Sequence, residues 1–249
     1  MNSVKVLNVR VDNYTLDELL SSLKKGVVVT PNLDHIVLCQ KNEEFHRCAA
    51  QAEYSIADSK YVVLAARLRG LNISEAIPGA SFFPRFCDYH AKNPSCKIFL
   101  LGAAEGVAEK AKININTRIG RDIINGVYSP YYGFENSEEE CLNICNRINE
   151  SGANVVLVGL GNPKQTTFIY KYKDQMPNVD IWLALGSTID FEAGNISRAP
   201  IIFQKLALEW LYRVITQPKR TVPRVIKDFS FFYYFFKQLL GLYKDPFAE

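Results

Sequence analysis

The feature that most constrains the fold of this chain is a run of four apolar residues, Val155 to Val158. The run is too short for a helix and is bounded by glycines, which is typical of a strand buried on both faces. A second apolar run, Ile181 to Leu185, ends at Gly186 and predicts another such strand. Strands buried on both faces belong to parallel sheets, so the two runs predict a parallel sheet.

The rest of the chain up to residue 185 alternates between strand and helix patterns. Residues 4–11 alternate like a strand, and residues 33–52 have the pattern of one long amphipathic helix. Further strand patterns lead into polar turns or loops and then helices at residues 27–29, 54–57, 97–101 and 123–128. Right-handed crossovers between such strands predict a Rossmann-like α/β fold with a doubly wound, mostly parallel sheet.

Polar residues follow the ends of several predicted strands, namely Thr30, Asn32, Asp58, Asn162, Lys164 and Gln165. Open α/β sheets bind ligands outside the carboxyl ends of their strands, so these residues predict a binding crevice. Each has a local alternative. Thr30 and Asn32 could only close a turn, Asp58 could cap a helix, and the other three could form an ordinary helix start with a surface lysine.

Three glycine or acidic patterns point less directly to chemistry. The loop at Gly102 leads into a helix whose first N–H groups could meet a phosphate. The Gly159-Leu160-Gly161 segment lacks the third glycine and the ribose-binding acid of a dinucleotide site, which disfavours an oxidoreductase. Asp190 and Glu192 only loosely resemble a D-x-D metal motif, and divalent sites need more converging oxygens, so we expect no metal.

Composition excludes several classes of protein. With 48% hydrophobic and 22% charged residues the chain is ordinary for a globular protein, and a net charge of +3 argues against binding nucleic acid through a uniformly basic surface. Six cysteines without C-x-x-C spacing favour buried free thiols in a reducing compartment. Residues 1–13 resemble neither a signal peptide nor a membrane anchor, so we expect the body of the protein to be cytoplasmic.

The character of the chain changes after Pro200, which predicts an α/β domain over residues 1–200 and a helical appendage over 201–249. Residues 201–215 predict an apolar helix, and Pro218 and Pro223 predict breaks in the segment that follows it. That segment is basic and has no acidic residue between its members Arg213, Lys219, Arg220, Arg224 and Lys227.

An aromatic helix with one narrow polar stripe is predicted from residue 227 to 244. It is too short and interrupted to span a bilayer, which needs ~20 apolar residues. Its basic flank favours a membrane-associating helix that lies in the interface, and a protein interface, including a homo-oligomer, is the alternative.

Several separated segments carry a resemblance to a known family: GLGNPKQ from Gly159, GSTIDFEAGNISRAP from Gly186, LEWLYR from Leu208, TPNLDHIV from Thr30, and IADS ending at Ser59. In this order they resemble the WecG/TagA/CpsF family of bacterial glycosyltransferases over nearly the whole chain. The resemblance implies an inverting, metal-independent enzyme that moves an N-acetylmannosamine-type or related sugar from a UDP-sugar to a polyprenyl-diphosphate-linked sugar in cell-surface polysaccharide synthesis, at the inner face of the cell membrane.

The resemblance also implies roles for residues. Asp58 matches the aspartate proposed as the general base of the family, and the basic appendage is thought to fold over the active site. The strand-end positions, the Gly102 loop and the resemblance together predict as substrate-binding residues Thr30, Asn32, Gly102, Asn162, Lys164, Gln165, Gly186, Asp190, Arg213, Arg220 and Arg224.

Two segments depart from the family pattern. Ala57-Asp58-Ser59 replaces the usual Pro-Asp-Gly, and residues 76–81 lack the arginine and aspartate of many relatives. A non-catalytic nucleotide-sugar-binding module and a membrane-docking partner subunit are the alternative functions.

Overall fold

The chain begins with a two-stranded antiparallel hairpin, β1 (Ser3–Val6) and β2 (Val9–Asp12), in a computed structural model that describes residues 3–70 and 72–248. The prediction of one strand over residues 4–11 is therefore wrong. The chain reverses at Leu7, whose φ of 57° is uncommon for a leucine. The Leu7 N–H donates to Oε1 of Gln238 at 3.0 Å, so a distant residue supports the turn.

Six parallel strands form the central sheet in the order β4-β3-β8-β7-β5-β6. The prediction of a doubly wound parallel sheet is confirmed. The strands are β3 (Gly26–Val29), β4 (Tyr54–Ser55), β5 (Ile98–Gly102), β6 (Ile124–Tyr128), β7 (Val155–Gly159) and β8 (Ile181–Ala184). β7 lies between β5 and β8, and its four apolar residues are all buried, which explains their unbroken apolar pattern.

Helices cover both faces of this sheet. The helices up to the end of the sheet are α1 (Leu16–Ser22), α2 (Leu33–Leu38), α3 (Glu43–Ala50), α4 (Lys60–Leu68), α5 (Gly79–Tyr89), α6 (Val107–Ile119), α7 (Glu138–Ser151), α8 (Lys164–Tyr172) and α9 (Thr188–Glu192). One face packs against α1, α5, α6 and α9, and the other against α7 and α8. All six cysteines are buried and free, as predicted.

The single long helix predicted over residues 33–52 is two helices. α2 ends after one and a half turns, and Asn42 begins α3 by accepting a hydrogen bond from the N–H of Phe45 at 2.8 Å. The apolar positions of both helices face the same interior cluster, so the hydrophobic pattern continues across the break. An N-cap inside a continuous apolar pattern is thus the signal that marks the break.

Three helices follow residue 200: α10 (Ile201–Lys205), α11 (Glu209–Thr216) and α12 (Pro218–Leu239). The apolar helix predicted over 201–215 is divided where Ala207 has a φ of 60°. The break predicted at Pro218 is confirmed, because α11 ends at Thr216 and Pro218 lies in the first turn of α12. The break predicted at Pro223 is wrong, because the helix continues through that residue. No helix within the described residues has the length and apolar character needed to cross a membrane.

The C-terminal helix packs against the N-terminal part of the chain. Phe231 and Phe235 of α12 are buried in a cluster with Ile36 and Val37 of α2. Beyond α12, the Tyr243 hydroxyl donates to Gln40 at 2.6 Å. The division of the chain at residue 200 remains a prediction, and α12 shares its core with the hairpin and α2.

Candidate active site

A cavity of about 740 Å³ lies at the carboxyl ends of four neighbouring strands, β4, β3, β8 and β7. Loops that follow these strands line one side, and residues of α10, α11 and α12 line the other. This volume is in the range of about 300–1,000 Å³ that small-molecule sites occupy. The structure brings together at this cavity the predicted residues Thr30, Asn32, Asp58, Asn162, Gln165, Gly186, Arg213 and Arg224.

Asp58 lies between two hydrogen-bond donors in the cavity wall. Its Oδ1 accepts from the backbone N–H of Gly79 at 3.0 Å, and its Oδ2 accepts from Nδ2 of Asn32 at 3.4 Å. Gly79 begins α5, which has no side-chain cap, so Asp58 occupies a helix N-terminus, where a negative charge is favoured.

Asp58 does not cap α4, the helix that follows it in the chain, although its carboxylate accepts from the first N–H of α5. Ser59, not Asp58, caps α4, because its side chain accepts from the N–H of Val62 at 3.4 Å. The serine that replaces the usual family glycine thus has a structural role. The Asp58 carboxylate lines the cavity and is oriented by the Gly79 N–H and the Asn32 amide.

Asn32 caps a helix and also contacts Asp58 in the cavity. Its Oδ1 caps α2 by accepting from the N–H of His35 at 3.0 Å, while its Nδ2 contacts Asp58. The cap fixes the side chain, and the fixed side chain supports the carboxylate. Thr30 lines the cavity at the end of the same strand.

Gln165 forms hydrogen bonds with two loops at the cavity. Its Oε1 accepts from the N–H groups of Gly161 and Gly186, both at 3.2 Å, and its Nε2 donates to the carbonyl of Ala184 at 3.1 Å. The side chain is 3% exposed and uses most of its hydrogen-bonding capacity on these loops. Gln165 therefore holds the end of β7 against the end of β8.

Three of the predicted substrate-binding residues lie outside the cavity. Lys164 pairs with Glu135 and lies 4.4 Å from the ring centroid of Tyr132. Gly102 approaches the backbone of Gly159, where a Cβ would lie 2.6 Å from the carbonyl oxygen. Asp190 accepts at its backbone carbonyl from the N–H groups of the following turn, at 3.0 and 3.3 Å.

Two of the three predicted arginines line the cavity wall opposite the sheet. Nε of Arg224 lies 3.6 Å from Oδ2 of Asp34, and the guanidinium of Arg213 lies 5.2 Å from the ring centroid of Phe191. A small adjoining cavity of about 50 Å³ lies between both arginines, Ser187 and Thr221. Arg220 belongs to α12, as Arg224 does, but its side chain lies outside the described part of the structure.

A family model described as the glycosyl transferase WecG/TagA/CpsF family matches residues 4–245. This match covers nearly the whole chain and agrees with the resemblance that the separated motifs carry. The chain belongs to this family. Membership in a glycosyltransferase family implies a nucleotide-sugar donor and an acceptor as substrates, and the cavity at the strand ends is the candidate site for both.

The family resemblance alone did not identify several residues that line the cavity. Arg198 donates to Oγ of Ser81 at 2.9 Å, and Nε1 of Trp210 donates to the hydroxyl of Tyr61 at 3.0 Å. Arg198 and Trp210 lie within the segments that carry the family resemblance. Their positions in these segments were the sequence signal that could have identified them as cavity residues. Both connect the segment after β8 to α4 or α5 across the cavity.

Asp228 of α12 is an acidic residue that no pattern predicted. Burial raises the pKa of its carboxyl to about 6, the nearby Asp34 carboxylate adds to the rise, and Arg224 opposes it. Its Oδ1 is buried and has no hydrogen-bond partner within residues 3–70 and 72–248. The cavity therefore contains a carboxyl group whose pKa lies well above its usual range.

Asp190 and Glu192, the two acidic residues that loosely resemble a D-x-D metal motif, both lie in α9. The segment is helical rather than extended, and Glu192 pairs with Arg118 at 3.3 Å. Among the described residues, no group of three or more histidine, cysteine or acidic side chains is arranged to hold a metal ion.

Proposed function

We propose that this protein transfers an N-acetylmannosamine-type or related hexose from a UDP-sugar to a polyprenyl-diphosphate-linked sugar, with inversion and without a metal. The observation that carries the proposal is the Asp58 carboxylate, which is oriented by Gly79 and Asn32 inside the cavity of a family glycosyltransferase. Its product would serve cell-surface polysaccharide synthesis.

In the proposed reaction, Asp58 takes the proton of an acceptor hydroxyl as its oxygen attacks the anomeric carbon of the donor. The bond between that carbon and the diphosphate oxygen breaks, and its electron pair leaves with UDP. The charge that develops on the leaving group needs a cationic partner. Arg213 and Arg224 line the same cavity and are the described candidates for this role.

The proposal of a lipid-linked acceptor is supported by the surface next to the cavity. Phe229 and Phe232 line the cavity and are also 64% and 47% exposed, so the site is continuous with an apolar surface. The exposed residues at a spacing of four and three along α12 and its C-cap residue are Val222, Ile226, Phe229, Tyr233, Phe236 and Leu240. We call these six residues the apolar face of α12.

Lys219 and Lys227 are exposed on α12 as well. A helix with one apolar face and flanking lysines suits the interface of an anionic membrane, because the lysines meet the headgroups and the rings lie below them. We therefore propose that the protein acts at the inner face of the cell membrane, with the cavity opening toward its lipid-linked acceptor.

UDP release tests the transfer proposal. A panel of UDP-sugars is supplied with a short-chain polyprenyl-diphosphate sugar, with EDTA present throughout, and UDP is measured for the unsubstituted protein and for Asp58→Asn. We expect acceptor-dependent release from one donor class, reduced about 100-fold or more in the variant. Asp174→Asn, an exposed residue outside the cavity, is the matched control and should release UDP normally.

Two outcomes would contradict the proposal in different ways. If UDP binds but no donor is turned over, the chain is a non-catalytic nucleotide-sugar-binding subunit. If release stops with EDTA and returns with Mg²⁺, transfer is correct but metal independence is wrong.

A further inference from the structure

His35 is a buried histidine at the centre of the hydrogen bonds that surround the cavity. It lies in the first turn of α2 and is 2% exposed. Its ring packs against Phe45 with 4.7 Å between centroids, and its Nδ1 lies 3.3 Å from Nδ2 of Asn162. It therefore connects α2, which follows β3, to the loop that follows β7.

The protonation of this ring follows from its surroundings. Burial lowers the pKa of His35 to about 3, so the imidazole is neutral at every working pH. Nδ1 accepts from the Asn162 amide, which places the ring proton on Nε2. That atom is buried without a hydrogen-bond partner among the described residues. Leaving it unpaired costs free energy, which an apolar ring of similar size would avoid.

Asn162, which lines the cavity, is held at both ends of its amide group. Nδ2 donates to His35, and Oδ1 accepts from the hydroxyl of Thr166 at 3.0 Å. Thr166 is fully buried. An asparagine amide has two N–H groups and two lone pairs on oxygen, so one donor and one acceptor remain for a ligand. A sugar hydroxyl both donates and accepts, and it is the group that such a pair suits.

The same contacts reach Asp58. Asn32 accepts from the backbone N–H of His35 and donates to the Asp58 carboxylate. The side chain of His35 therefore holds Asn162, and the backbone N–H of His35 holds Asn32.

We propose that His35 is a positioning residue that fixes the amide of Asn162 for hydrogen bonding to a hydroxyl of the bound sugar. This inference rests on the proposed transferase function for its ligand, and on the described contacts for its geometry. His35 does not exchange a proton with substrate. Its ring nitrogen acts through Asn162, and its backbone acts through Asn32.

A double-mutant cycle tests the proposal, because two residues that act as one unit are not additive. We expect His35→Leu to lower kcat/KM about 10- to 100-fold, since a misplaced positioning group costs rates of this order. In the background of Asn162→Ala, the same substitution should cost less than about 2-fold. Full multiplication of the two losses would overturn the proposal.

Two further variants separate positioning from folding. His35→Asn places an amide oxygen near the position of Nδ1 and should recover most of the activity that His35→Leu loses. Thr166→Val releases the other end of the Asn162 amide without a change in shape, and should lower kcat/KM in the same direction. If His35→Leu does not fold, the cycle is run with His35→Phe, which keeps an aromatic ring and removes Nδ1, and full multiplication of the two losses would again overturn the proposal.

Nitrogen NMR of the imidazole tests the contact without any turnover. We expect the Nε2–H tautomer for His35 from pH 5 to pH 8, and a shift of the Nδ1 resonance in Asn162→Ala. A ring that titrates in this range, or an Nδ1 resonance that does not respond, would refute the role of His35. If the contact is present but the protein transfers no sugar, the fault lies with the proposed function.

Discussion

Nε of Arg224 lies 3.6 Å from Oδ2 of Asp34, which joins the C-terminal helix α12 to the first turn of α2 at the cavity. Both side chains are partly exposed, so the pair itself contributes little to stability. The consequence of the pair is that the Arg224 side chain is oriented. Asp34 holds a guanidinium in the wall of the cavity, on the side opposite the ends of the strands.

Substitution of Arg224 should therefore weaken nucleotide binding more than folding. We expect Arg224→Ala to lower the affinity for UDP about 10-fold or more, because hydrogen bonds to charged groups contribute about 1.5–3 kcal/mol. Titration calorimetry measures the affinity. Lys227→Ala removes an exposed positive charge from the same helix outside the cavity and should leave UDP affinity unchanged. Equal losses in both variants would indicate general electrostatic attraction instead.

Asp228 should make the stability of the protein depend on pH. Its raised pKa means that the folded state keeps a proton between about pH 4 and pH 6 that the unfolded state has released. The folded state then binds more protons, so stability falls as pH rises through this window. Above pH 6 the full penalty of the buried charge is present.

Asp228→Asn should remove that penalty. Because the carboxyl is only partly buried, we expect a gain of about 1 kcal/mol at pH 8. This corresponds to about 2–4 °C in Tm for a chain of this size. At pH 4 the gain should nearly vanish, since both side chains are then largely uncharged in the folded state. Thermal unfolding at both pH values checks this, and a gain of the same size at pH 4 would contradict it.

The sequence predicted the parts of the fold that follow from local pattern. The apolar run at Val155 marks a central strand because both of its faces are covered, and any strand so placed must be apolar throughout. The errors occur where distant contacts override local preference. Leu7 turns the chain where Gln238 supports its backbone, and Pro223 stays helical where α12 packs on α2.

The site was predictable to the extent that it lies at strand ends. Asp58 and Asn32 follow the adjacent strands β4 and β3, and Gln165 follows β7, which lies beyond β8 in the same parallel sheet. Their convergence at one edge of the sheet follows from this topology. The contacts of Asp228 and Arg224 were not predictable, because they depend on how α12 folds back over α2. Lys164 follows a strand as well, but it points to Glu135, and no sequence pattern distinguishes that direction.

Gly102 should matter for stability through its close approach to Gly159. Its φ is +116°, and an alanine Cβ would lie 2.6 Å from the Gly159 carbonyl oxygen. We expect Gly102→Ala to cost about 3 kcal/mol, from backbone strain together with the clash. Gly120→Ala is the matched control, because Gly120 has a φ of +76° with open space around it and should cost only about 1–2 kcal/mol. Thermal unfolding compares the two, and equal losses would show that the clash is relieved.

The apolar face of α12 should bind anionic lipid. Ile226, Tyr233 and Phe236 are 66%, 58% and 61% exposed, and none of them lines the cavity. We expect the triple substitution of these residues by serine to weaken binding to anionic phospholipid vesicles at least about 10-fold, since each large side chain contributes about 1.5–3 kcal/mol when fully buried. UDP affinity should be unchanged, because the cavity keeps all its residues. Vesicle co-sedimentation measures the binding.

Leu64→Ser with Leu68→Ser is the control for this experiment. Both leucines are exposed on α4, at 54% and 59%, so the substitution removes exposed apolar surface of the same kind from another helix. It should leave vesicle binding intact, while added salt should weaken binding by screening the lysines. In the contrary outcome, the unsubstituted protein does not bind vesicles but forms an oligomer that the triple variant does not form. The apolar face of α12 is then a contact between copies of the chain. Light scattering after size-exclusion chromatography distinguishes that outcome. If the face binds lipid, the triple variant and the unsubstituted protein have the same mass in solution.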